Sequence, residues 1–128
     1  MNTNSLIGSS VIDDVVDLAD QMTNPVLLKD INGRYVYANS TSIELFGFSK
    51  QSDLLGINAK ELNSRVEHRW HREYELAIQL LDNYVVSERR AGCDNMRVIP
   101  CQDGTLRVQN MIKKPMANYH FTLRLFLG

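Results

Sequence analysis

The spacing of apolar positions changes several times along the chain, and each change marks an element. From Val11 to Met22 the residues Val11, Val15, Leu18 and Met22 recur at helical spacing, with Ile12, Val16 and Ala19 beside them. Asp13, Asp14, Asp17 and Asp20 take the remaining positions. Ser10 precedes Asp13 by three residues, a capping-box-like start, so residues 1–10 read as a flexible lead-in and 11–22 as an amphipathic helix. Asn24-Pro25 ends that helix, because the residue before proline avoids helical geometry. Val26–Leu28 is a short apolar run suited to a strand, Asp30–Gly33 supplies turn residues, and Arg34–Ala38 reads as the partner strand of a hairpin. Asn39 is a natural N-cap for a short helix, Ser40–Phe46, closed by Gly47. Ser49 caps a further turn that Gly56 stops, and Ala59–Leu62 forms another.

A long helix is predicted over Val66–Leu81, with Val66, Trp70, Tyr74, Ala77, Ile78 and Leu81 on one face. Helical periodicity is lost after Asp82-Asn83, and a strand follows within Met96–Cys101. Asp103-Gly104 offers a tight hairpin turn. Thr105–Ile112 alternates with Leu106, Val108 and Ile112 on one side. After the turn Pro115–Asn118, Tyr119, Phe121, Leu123, Leu125 and Leu127 alternate along a last strand. Short turns favour antiparallel pairing. The expected class is therefore α+β: a five-stranded antiparallel sheet with helices on one face, spanning 23–128 and preceded by the amphipathic helix.

Composition narrows the functional classes. At 128 residues and 44% apolar, the chain is sized for one domain with its own core. A net charge of −1 with no basic block argues against direct nucleic-acid binding, since phosphate binding needs clustered Lys and Arg. The start is polar and uncharged, unlike a signal peptide, and no apolar run approaches the ~20 residues that span a bilayer, so the expected location is cytoplasmic. Cys93 and Cys101 are too few and too far apart for a zinc ribbon or a redox CxxC, and no metal is expected. No base, orienting partner and oxyanion donor are spaced as a catalytic site requires, which leaves a small α+β enzyme the least favoured reading.

The order of elements resembles the PAS domain. Asn24–Asp30 looks like that family's first strand, and Asp30-Ile31-Asn32-Gly33-Arg34-Tyr35-Val36-Tyr37-Ala38-Asn39 is similar to its hairpin, which usually ends in asparagine. Glu44–Ser49 with Leu54-Leu55-Gly56 resembles the helical segment that follows. Together these pieces, with the later strand plan, extend the resemblance over residues 22–127. It implies a module that senses a small ligand, light, redox state or partner and biases an attached effector, such as a transcriptional regulator or histidine kinase. Relatives that bind flavin covalently carry a cysteine after the glycine; here Gly56 is followed by Ile57-Asn58-Ala59-Lys60-Glu61, so covalent flavin is not expected. Haem-binding relatives take an axial histidine from the long helix, and His71, at the edge of its apolar face, is the candidate. Retained haem is not the expected outcome, and no cofactor is assigned.

Tyr37, Asn39, Phe46, Trp70, His71, Tyr74 and Asn110 are the candidate lining of a ligand space between the long helix and the central strands. Asn110 is included because it interrupts the alternation of Leu106, Val108 and Ile112, and a buried amide needs partners. The alternative is a ligandless interaction module in which the bulky side chains fill that space. The N-terminal helix has more apolar positions than one inner stripe needs, so Val11, Val15, Leu18 and Met22 are the candidate homodimer contacts. Capping of the outer face of its own sheet is the other use of that helix.

Overall fold

The computed structural model describes the backbone of residues 3–127 and the side chains of residues 12–127. Helix α1 spans Thr3–Asp20, so it begins within the stretch read as a lead-in and stops short of Met22. Strands β1 (Val26–Asp30) and β2 (Tyr35–Ala38) form the expected hairpin, followed by α2 (Ser40–Phe46), a 3-10 turn at Gln51–Asp53, and α3 (Ala59–Arg65). The long helix α4 runs Arg72–Glu88, and β3 (Gly92–Pro100), β4 (Leu106–Met116) and β5 (Tyr119–Leu127) complete the sheet. The sheet order is β2-β1-β5-β4-β3 with every neighbouring pair antiparallel. The long connection from β2 to β3 carries α2, α3 and α4, and the last strand returns to the middle beside β1.

The predicted helix over Val66–Leu81 is displaced. Val66 is the C-cap of α3, residues 66–71 have no regular structure, and α4 starts only after His71. Val66 and Trp70 are buried as expected, but from this connection rather than from the helix. At its other end α4 continues past Asp82-Asn83 because Val85, fully buried, extends the face of Tyr74 and Ile78. Arg89, in the left-handed region at φ 55°, ends it.

Two layers cover the sheet. Leu27, Tyr35, Ile99 and Met111 face α2, α3 and α4 and pack with Phe46, Leu54, Leu62, Trp70, Tyr74 and Ile78. Val26, Leu28 and Tyr37 point the other way, and with Phe121 and Leu123 they meet Ile12, Val16, Ala19 and Met22. The first helix thus caps the opposite face of its own sheet. It covers β1, β2 and β5, while Val98, Leu106 and Ile112 on β3 and β4 stay exposed.

Candidate functional site

The helix-facing side of the sheet is apolar at one end and charged at the other. Strand alternation puts His120, Thr122 and Arg124 of β5 on this side, next to Lys29 of β1 and to Gln109 and Lys113 of β4, and all six are at most 1% exposed. Asp82 comes down on them from α4, since helical spacing places it on the face of Ile78 and Val85. Its Oδ2 accepts from Lys29 Nζ at 2.6 Å, and its Oδ1 lies 2.7 Å from Lys113 Nζ. Lys113 also donates to Thr122 Oγ1 at 2.9 Å. A second network, built on Arg124, lies beside it. Arg124 Nη1 donates to Gln109 Oε1 at 2.9 Å and to the Tyr74 hydroxyl at 3.1 Å, and Gln109 Nε2 donates to the same hydroxyl at 2.7 Å. The Arg124 guanidinium also lies 5.3 Å from the ring centre of Phe46 and 5.6 Å from that of Trp70.

Charge does not balance in this interior. Among the described residues Lys29, Lys113 and Arg124 are buried cations and Asp82 is the one buried carboxylate. Burial alone would raise the Asp82 carboxyl, but Lys113 and Lys29 outweigh it and hold it down at about 2. Burial opposes the Lys29 charge, and Tyr35 and Asp82 more than restore it, leaving that ammonium above the ordinary lysine value. The other lysine bears the deficit: burial, then repulsion from Lys29, brings Lys113 down to about 7 although it touches Asp82. Burial also lowers His120 to about 4, so its imidazole is neutral at pH 7. Among the described residues, neither His120 ring nitrogen nor Arg124 Nε has a hydrogen-bond partner. Nearly all buried polar atoms in folded proteins are paired, so these three stand out in this interior.

A cleft of about 320 Å³, walled by Ile31–Gly33, Asn58–Lys60 and α4, reaches Asp82 and His120. That volume lies at the low end of small-molecule sites, which run from about 300 to 1,000 Å³.

The predicted site residues divide. Phe46, Trp70 and Tyr74 are brought together, with ring centres 6.0 Å and 5.4 Å apart in edge-to-face contacts, and they stand beside Arg124. Tyr37 is on the α1 side of the sheet, where its hydroxyl donates to Asp20 Oδ1. Asn39 caps α2 as expected by accepting from Ser42 N at 3.1 Å, and it also accepts from Val26 N and donates to Ala19 O and Asn24 O. It ties α1, β1 and α2 together rather than lining the interior. His71 is exposed at the N-cap of α4 and makes no capping bond with its side chain. Asn110 faces the side of β4 away from α4, where Oδ1 accepts from Met96 N at 2.8 Å across a bulge in β3. Of the candidate dimer contacts, Leu18 is 66% exposed, Val15 is half-buried, and Met22 packs on the sheet. The Val11 side chain lies outside the described residues. Among the described residues no group of three or more His, Cys, Asp or Glu is placed to hold a metal, and no helix is long and apolar enough to cross a membrane.

The sequence reading missed Lys29, Asp82, Lys113, His120 and Arg124. Polar residues alternating with Phe121 and Leu123 look solvent-facing until a helix is known to cover each face of the sheet. The available signal was Asp82 itself, a charge at an apolar helical position between Ile78 and Val85.

A family profile described as the PAS fold matches residues 9–124. This chain belongs to the PAS family. Solved structures agree on the fold of this PAS domain. The Vibrio cholerae VqmA dimer, described in the absence of target DNA as a LuxR-type receptor, is 20% identical with a TM-score of 0.72, over 90% of this chain and 51% of that one. A Vibrio cholerae VqmA complex with ligand and DNA is also 20% identical with a TM-score of 0.72, over 89% and 50%. The PAS domain of Bordetella pertussis BvgS is 15% identical with a TM-score of 0.72, over 93% and 88%. The PAS domain here therefore spans about half the length of the VqmA chains it matches. No curated protein matches the chain in sequence.

Proposed function

We propose that this PAS domain is the small-molecule sensor and dimerising part of a larger signalling protein. In this reading it performs no chemistry itself. A ligand held between α4 and the sheet stabilises one arrangement of the helical layer, and the differential affinity biases an attached output domain. The observation that carries the reading is the set of unpartnered buried polar atoms, His120 Nδ1 and Nε2 and Arg124 Nε, beside a cleft that reaches His120. A module built only to hold partners gains nothing from leaving such atoms unpaired, because each costs roughly 1–3 kcal/mol. The VqmA structures, a ligand-bound DNA-binding receptor among them, favour a transcriptional regulator over a histidine kinase as the attached output. Dimerisation is assigned to α1, whose exposed Leu18 lies on the side turned from its own sheet, and to the uncovered Val98, Leu106 and Ile112 beside it.

Hydrogen exchange tests the sensing part. Incubation with a small-molecule extract of the producing cells is expected to slow exchange in α4 and β5 and leave the exposed β3–β4 hairpin unchanged. An exchange pattern identical with and without extract contradicts it.

A further inference from the structure

We propose that the ligand of this site is a small organic anion, whose carboxylate or equally compact anionic group shares Lys113 with Asp82 and hydrogen-bonds to His120. The inference rests on the sensor reading above and names the chemical class that the pocket selects.

Charge and hydrogen-bond capacity support it independently. Lys29 and Lys113 together face one carboxylate, so the pair carries an unmatched positive charge wherever both are protonated. A monoanion placed beside Asp82 would bring this group to neutrality. A neutral imidazole has one donor and one acceptor nitrogen, and His120 spends neither on the protein. Its N–H is the donor an anion would use, and the ring lines the cleft that reaches Asp82, with Nδ1 3.8 Å from Asp82 Oδ1. The size of the cleft restricts the guest to a compact molecule.

Binding should take up a proton. Lys113 is faced by Lys29 from β1, by Asp82 from α4, and by His120, Thr122 and Arg124 from β5. Repulsion from the other cations is part of what holds its ammonium down at about 7. An arriving anion offsets that repulsion and raises the lysine again, so part of the population that was neutral becomes charged. Affinity should then fall as pH rises from 7 to 9, because the free protein must be protonated in order to bind.

The test is calorimetric titration of the whole chain with benzoate and with acetate, against benzamide and acetamide as neutral counterparts of the same shape. At pH 7 the acids are expected to bind at least tenfold more tightly than their amides. Titrations in buffers of different ionisation enthalpy should show net proton uptake, and the preference should shrink at least threefold by pH 9. Lys113→Met should abolish both the acid preference and the proton uptake, while Lys113→Arg should keep the preference and lose the pH dependence. Circular dichroism establishes that each variant is folded. Equal affinity for acid and amide overturns the anion assignment and leaves a sensor of neutral molecules. Absence of binding by either acid overturns it as well, and extract-induced protection of α4 would then show that the sensor reading survives.

Discussion

Asp82→Asn isolates the electrostatics of the interior. The substitution keeps the side chain's shape and removes the carboxylate that accepts from Lys29 at 2.6 Å and stands 2.7 Å from Lys113. Both lysines are 1% exposed, so neither regains water without opening the fold. Removing one partner of a buried ion pair costs about 3–5 kcal/mol, mostly as the penalty of the charge left behind. Lys113 has an escape, since it already sits at about 7 and can shed its proton near neutrality. Lys29 draws part of its raised pKa from Asp82, so the variant leaves it buried without that counter-charge. The loss should therefore approach about 4 kcal/mol at pH 6, where both lysines are charged, and fall below that at pH 8.5, where Lys113 is neutral. Against the roughly 5–15 kcal/mol of a domain this size, that is a large fraction, and the melting temperature should drop by about 10–20 °C. Urea unfolding at the two pH values measures it. The double variant Asp82→Asn/Lys113→Met should recover part of the loss. A single variant within 1 kcal/mol of the parent at pH 6 would refute the reasoning, because the lysines would then be compensated by something other than Asp82.

Asn39→Ala should cost about 3 kcal/mol, more than a cap alone, because the side chain also bonds Val26 N, Ala19 O and Asn24 O in a buried position; a loss near 1 kcal/mol by urea unfolding would reduce it to a cap. Stability should fall on acidification from about 6.5 to 4, because unfolded His120 takes a proton that the folded residue refuses, and again from about 4 to 2 as Asp82 is protonated. Between pH 7 and 9 it should rise instead, since unfolded Lys113 binds the proton that the folded one releases, and thermal melts in which Lys113→Met fails to flatten this rise would contradict the assignment. Leu18→Asp should convert a dimer to a monomer in light scattering at high micromolar concentration without lowering the melting temperature of the subunit, and a monomeric parent protein would end the dimer proposal.

The fold was legible because its local signals agreed. Pro25, the Asp30–Gly33 turn, the Asn39 cap and Asp103-Gly104 punctuate the chain where the structure turns, and Gly47 takes the left-handed conformation that closes α2. The long helix was misplaced because Val66 and Trp70 happen to fall in register with Tyr74, Ile78 and Leu81. Asn63 explains why they are buried without being helical: its Oδ1 accepts from Trp70 N at 2.7 Å and its Nδ2 donates to Trp70 O at 3.3 Å, which holds the irregular connection against α3. Periodicity cannot distinguish that arrangement from a helix. The clustering of the interior was partly legible. Phe46, Trp70 and Tyr74 pack together as their size suggested, although none lines the cleft, and Asn110 lies on the other side because the apolar residues it interrupts face away from α4. The cationic interior was hidden for a general reason. Lysine, histidine and arginine on alternate strand positions normally face water, and they face the core here where Asp82 pairs Lys29 and Lys113 while Tyr74 and Gln109 accept from Arg124.

Native mass spectrometry of the intact chain, before and after incubation with a small-molecule extract of the cells that make it, tests the central claim most directly. A sensor predicts a discrete non-covalent adduct of one small molecule per chain, retained under gentle activation and lost on unfolding, and weakened by Lys113→Met. The bare polypeptide mass under every condition, alone or as a dimer, would contradict the account and identify the interior as a closed structural core.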